Sequence, residues 1–198
     1  MIETRRDSLI SAAAELLDRG GPAAVTLRAV GRAAGVSHNA PYKHFADKDD
    51  LLAAIAGREL RRQSGLRASG EDDAAPTPQR LMVEYVRWAR RRPERFKLTF
   101  GRWTRDNPEL GEAAALARTI LTEAITQAQA RGDLPAGDPE RVAVLVLALA
   151  HGAADLALAG HPFAGGKDRA DPESLVADLF RHLKPSARAA CWTRPGAG

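Results

Sequence analysis

Cysteine is almost absent: Cys191 is the single one in 198 residues. That excludes an intramolecular disulfide and suits a reducing compartment. Its setting among Pro, Gly and Arg offers nothing to hold a base beside it, so it is not read as a nucleophile. Aromatic residues make up only 5%, while alanine and leucine abound, a balance that favours helix over sheet. No segment alternates with the period of a strand, and no internal repeat occurs. Long uninterrupted apolar runs are also missing. The stretch from Leu9 is short, is broken by Glu15 and Asp18, and keeps helical spacing, so it does not read as a leader peptide. Residues 142–160 approach membrane-spanning length but carry His151 and Asp155 near the middle, and a buried helix is expected there. A soluble, cytoplasmic protein without a membrane partner is the expectation.

What is present points to an all-α chain. With 44% apolar residues a real core can form. The net charge of +4 suits a nucleic-acid binder, although many enzymes share it. Helical spacing runs over residues 4–19, and Gly20, Gly21 and Pro22 stop it. Thr26 caps a short helix over 27–34, Gly35 and Val36 turn the chain, and Ser37 caps a second short helix over 38–45. Asp47 caps a longer helix beginning at Lys48, where Asp49 and Asp50 suit the helix dipole. Further helices are expected over 79–91, 93–101, 108–131, 139–160 and 172–183. Pro93, Pro108, Pro139 and Pro172 stand at their starts, where a missing N–H costs little. The total is about nine helices: a small three-helix module over residues 3–63, a larger helical domain over 76–184, and a frayed tail over 185–198.

Residues 26–45, TLRAVGRAAGVSHNAPYKHF, satisfy the three demands of a helix-turn-helix. The first helix is apolar on one side (Leu27, Val30, Ala34), a glycine relieves the turn, and the second helix spends few residues on the core. Two short capped helices around a glycine also occur in helical proteins that never meet DNA. On this ground alone Thr26 and Ser37 read equally as caps, Phe45 as core, and Tyr42 as a buried ring with its hydroxyl exposed.

The particular residues go further. Ala34-Gly35-Val36-Ser37, then Tyr42-Lys43-His44-Phe45, then Lys48 and Leu51-Leu52, with Thr26 ahead of them, resemble the DNA-binding module of the TetR family of repressors, in order and without gaps. The resemblance implies operator DNA as partner and assigns roles. Thr26 and Arg28 would contact phosphate. Ser37, His38, Asn39 and Ala40 would face base edges or nearby backbone, with Asn39 pairing to adenine and Ala40 packing on a thymine methyl. Tyr42 and His44 would anchor the backbone, Lys43 would reach phosphate or guanine, and Lys48 would clamp phosphate. Pro41 departs from the family's aliphatic residue; it removes a helical hydrogen bond and restricts Ala40.

Residues 85–101 and His151-Gly152 are similar to regulatory domains of that family bearing a Trp…His-Gly signature, although Leu147 stands near the tryptophan's place. This likeness implies an effector pocket for a small molecule and a homodimer through the last two helices. Pocket candidates are Trp88, Phe96, Phe100, Trp103, Leu121, Ile125, Leu145, His151 and Asp155, with plain core packing the preferred reading for any one aromatic. Ala150, Gly152, Ala153 and Ala154 on one helix, and Leu175, Leu179, Phe180 and Leu183 on the other, suit a close dimer seam. No cofactor and no metal site is implied, since His151, Asp155 and His161 lack a fourth ligand. A small all-α enzyme using His151 and Asp155 has no nucleophile or phosphate loop to support it. Arg90, Arg91 and Arg92 as a lipid-binding patch are more simply a solvated helix end.

Overall fold

The computed structural model describes residues 4–65, 77–161 and 171–185. Among these residues every regular element is helical: α1 (Arg5–Ala24), α2 (Leu27–Ala33), a 3₁₀ turn (Pro41–Lys43), α3 (Lys48–Gly65), α4 (Pro78–Arg91), α5 (Pro93–Thr99), α6 (Pro108–Ala130), α7 (Pro139–Leu158) and α8 (Pro172–Leu183). The expected all-α class holds. The loops expected around 70–78 and 165–171 and the tail, with Cys191, fall largely outside the described residues.

The ends follow local chemistry. Thr4 and Asp7 form a reciprocal capping box at the start of α1. Regular α1 geometry breaks at Gly20 and Gly21, the latter at φ 64°, and a last turn containing Pro22 runs to Ala24. Thr26 caps α2 by accepting the Ala29 N–H at 3.1 Å. The Asp47 carboxylate accepts the Asp50 N–H at 2.9 Å, while Asp50 accepts from Ala46 at 3.1 Å, closing the start of α3.

The chain divides into two compact units: residues 1–73 with 88–119, and residues 74–87 with 120–198. In the first, α1 packs on α2, α3 and α5, and α3 packs on α5. Its core comprises Leu9, Ile10, Ala13, Leu17, Val25, Val30, Phe45, Leu51 and Ile55, with Leu98 and Trp103 against its edge. In the second, α7 packs on α8. Met82, Tyr85, Leu121, Ile125, Val146, Ala150, Ala153, Ala154, Val176 and Phe180 are buried there. One face of α7 stays exposed and apolar: Val144, Leu145, Leu149 and Leu156. At this length and hydropathy α7 meets the minimum for crossing a membrane, a test that core and interface helices also pass.

Candidate nucleic-acid interface

After α2 the chain turns at Gly35, whose φ of 66° is a left-handed conformation that glycine adopts at little cost. Next comes the largest departure from expectation. In place of an α-helix over 38–45 the segment winds tightly: the Ala40 N–H donates to Ser37 C=O at 2.9 Å, Lys43 to Ala40 at 3.2 Å and His44 to Pro41 at 3.0 Å. Pro41 has no N–H to give the Ser37 carbonyl, so i→i+3 bonds take over around it; an i→i+4 bond returns only at the end, where the Phe45 N–H donates to the Pro41 carbonyl at 3.0 Å. Its ring is buried, and a Cβ placed on Gly31 of α2 would meet it at 3.2 Å.

This winding redistributes the side chains. Ser37, His38, Asn39, Tyr42, Lys43 and His44 are all exposed. Ala40 is not. At 8% exposure its methyl is turned into the head, which corrects the expectation that it packs on a thymine. Tyr42 is corrected in the opposite sense: its ring is 58% exposed, because the 3₁₀ turn swings it off the core that Phe45 fills. The tight winding brings Asn39 and Tyr42 to one side of the surface. Together with His38 and with Arg28 from the first turn of α2, they line a surface hollow of about 380 Å³.

Many basic groups elsewhere in the unit are engaged by carboxylates: Arg6 and Arg61 with Glu109, Arg19 with Glu15, Arg92 and Arg95 with Asp18, Lys97 with Glu94, and Arg105 with Asp47. Arg5, Arg62, Arg102 and Arg118 are exposed without such a partner among the described residues, so this face is distinguished by unpaired cations standing beside exposed polar side chains. Arg58 donates to Ser11 and to the Asp7 and Ile10 carbonyls. Arg28, Lys43 and Lys48 have no carboxylate partner among the described residues. Nor has Arg32, exposed one helical turn after Arg28 and on the same side of α2. Its i,i+4 spacing from Arg28 was the signal by which the sequence could have nominated it. A stripe of unpaired cations beside exposed hydroxyl, amide and imidazole groups can bind phosphate oxygens and reach base edges.

The candidates for an effector pocket divide between the units. Trp88, Phe96 and Phe100 of the first unit form an aromatic cluster with centroids 5.5–6.4 Å apart, Trp88 edge-to-face with both phenyl rings and the two phenyls tilted to each other. Trp103 lies elsewhere, lining a cavity of about 610 Å³ with Asp47, Asp49, Leu52, Leu98 and Asp106. In the second unit Leu121 and Ile125 are buried, whereas Leu145 (61% exposed) and Asp155 lie on the surface. The Tyr85 hydroxyl is 2.8 Å from His151 Nδ1. Burial pushes that phenol well above its ordinary range, so it keeps its proton, and which partner donates follows the tautomer of the imidazole.

This arrangement defines a helical protein with a helix-turn-helix head built to meet nucleic acid. Family comparisons agree with the geometry. Residues 9–55 match the family described as bacterial regulatory proteins, tetR family, and residues 79–183 match the tetracyclin repressor-like C-terminal domain. The chain belongs to the TetR family; it is a DNA-binding transcriptional regulator and not an enzyme. No curated protein matches it. Among solved structures, a protein of unknown function from Rhodococcus sp. RHA1 is 28% identical, with TM-score 0.75 over 92% of this chain and 96% of that one. The fold is also that of the fatty acid degradation regulator FadR from Bacillus halodurans (16% identity, TM-score 0.70, 95% and 98% covered). SmeT, the repressor of the Stenotrophomonas maltophilia multidrug efflux pump SmeDEF, shares it at 23% identity and TM-score 0.64, with 99% and 98% covered.

Proposed function

We propose that the protein is a repressor that binds a palindromic operator as a homodimer and is released from it by a small-molecule effector. The observation that carries this reading is the unpaired cationic face around the Arg28, His38, Asn39 and Tyr42 hollow. Thr26, Arg28, Tyr42, Lys43, His44 and Lys48 hold the DNA backbone, and Arg32 joins them. Ser37, His38 and Asn39 read base edges. Operator DNA places this work in the cytoplasm.

The dimer forms through α7 and α8. Support comes from the outward stripe of α7, where Val144 is 64% and Leu145 is 61% exposed. Gly152 also has open space around its Cα, which lets another backbone approach. An apolar stripe of this kind needs a partner, and in a DNA-binding regulator a second copy is the economical one. Two heads held about 34–36 Å apart then match successive turns of one DNA face.

The effector binds in the C-terminal domain beside Tyr85 and His151, which are joined by a hydrogen bond. His151-Gly152 then stands as the His-Gly part of the Trp…His-Gly signature. Binding favours a conformation with different head spacing, so operator affinity falls by population shift. The test is a gel shift on DNA upstream of the protein's own coding sequence, with Lys48→Ala and Tyr42→Ala beside the wild type. Salt-sensitive, sequence-specific retardation that both substitutions weaken supports the reading; retardation indifferent to sequence and to both substitutions contradicts it.

A further inference from the structure

Four side chains from four helices of the first unit form a charged network that makes no contact with the DNA-facing residues. Arg95 of α5 grips Asp18 of α1 with two nitrogens, at 3.0 and 2.7 Å, and donates to Glu59 of α3 at 2.9 Å. The second Glu59 oxygen accepts the indole N–H of Trp88, at the end of α4, at 3.1 Å. Arg92 adds a further bond to Asp18 at 2.9 Å. Glu59, Trp88 and Arg95 are 3, 5 and 6% exposed. Burial works against the Arg95 charge, but the Asp18 and Glu59 carboxylates outweigh it and hold the guanidinium above its ordinary value.

Burying such a network gains little stability over an apolar core of equal volume, because desolvation offsets the attraction. Its directional bonds do something apolar contacts do not: they admit one mutual arrangement of the helices that carry them. Here those helices include α1 and α3, which frame the head. Trp88 also sits edge-on to Phe96 and Phe100, so a molecule displacing that cluster would pull on Glu59.

We propose that the Asp18–Arg95–Glu59–Trp88 network is a latch holding the head in its operator-fitting arrangement, so that loosening it weakens operator binding without touching a DNA contact. The inference rests on the DNA-binding role proposed above. Its residues are positioning residues. A loosened latch spreads the head over several arrangements, and the apparent operator Kd rises by the inverse of the fitting fraction.

The test uses the full chain and two duplexes: one selected by the wild-type protein from random-sequence DNA, and one unselected. Trp88→Phe removes the N–H donor while keeping an aromatic ring; Glu59→Gln and Asp18→Asn each remove a charge. Binding is followed by fluorescence anisotropy, and folding by circular dichroism at the assay temperature. The latch predicts at least five-fold weaker binding to the selected duplex for each folded variant, with binding to the unselected duplex within two-fold. The Asp18→Asn/Glu59→Gln pair should lose less than the product of the single losses, because one latch is broken either way. Should the charge variants not fold, Trp88→Phe carries the test. Lower thermal midpoints with operator affinity of the folded protein unchanged would overturn the latch. A wild type that selects no sequence overturns the DNA reading, and the latch with it.

Discussion

Gly31 of α2 and Pro41 of the 3₁₀ turn lie in contact: a Cβ on Gly31 would stand 3.2 Å from Pro41 Cγ and 3.4 Å from the Ser37 carbonyl oxygen. Both residues are buried, and the contact sets how closely the turn approaches α2. Gly31→Ala gains about 0.5–1 kcal/mol of helix propensity and loses part of it to crowding. Gly31→Leu has no such room and should destabilise the protein by roughly 1–3 kcal/mol. Thermal denaturation of the two variants separates the outcomes, the alanine protein staying close to wild type.

Pro41 itself should govern which DNA is read. Pro41→Ala returns an N–H to the segment and permits the i→i+4 register that the ring forbids. Loss of the ring's restriction on the unfolded chain should cost about 0.4–1 kcal/mol, seen as a lower thermal midpoint. Selection from random DNA should return a different preferred sequence, because Asn39 and Tyr42 would no longer share one side.

Much of this was legible before any coordinates. Pro93, Pro108, Pro139 and Pro172 each open a helix, since proline's local cost is lowest there. Thr26, Gly35 and Asp47 mark the head because capping and positive φ are local properties. The winding of residues 37–45 was harder: Pro41 announces a lost bond, but not whether the helix shortens or changes type. Ala40 and Tyr42 were misplaced as a consequence. The Asp18–Arg95–Glu59 network was invisible for another reason. Its partners lie 77 and 36 residues apart, and nothing in local sequence distinguishes Arg95 from the solvated arginines beside it.

Acid should release a different contact. Glu109 binds Arg6 at 2.6 Å and Arg61 as well. Burial works to raise its carboxyl, but hydrogen bonds from the two guanidiniums prevail and hold it below its ordinary value of 4.5. A depressed folded-state value stabilises the protein above the ordinary carboxyl range, and that gain disappears as pH falls through the folded value. Glu109→Gln should therefore lower the thermal midpoint at pH 7 by a few degrees, on the order of 2–4 °C per kcal/mol lost. The gap from wild type should narrow below about pH 4.

The α7 stripe predicts assembly. Leu145→Arg places a charge on a 61%-exposed apolar position and should leave the fold intact while breaking the dimer. Sedimentation should show a monomer, and operator affinity should fall by 10-fold or more. The helical content read by circular dichroism should stay unchanged.

The salt dependence of operator binding tests the central claim most directly, comparing wild type with Arg28→Ala, Arg32→Ala, Lys43→Ala and Lys48→Ala. If these unpaired cations neutralise phosphates, log Kobs falls linearly with log salt in the wild type. Each substitution then reduces that slope by about 1 for each phosphate contact removed. Arg19→Ala, which removes a cation paired with Glu15, should leave the slope unchanged. A wild-type slope near zero, or four variants whose slopes all equal that of the wild type, would contradict the account.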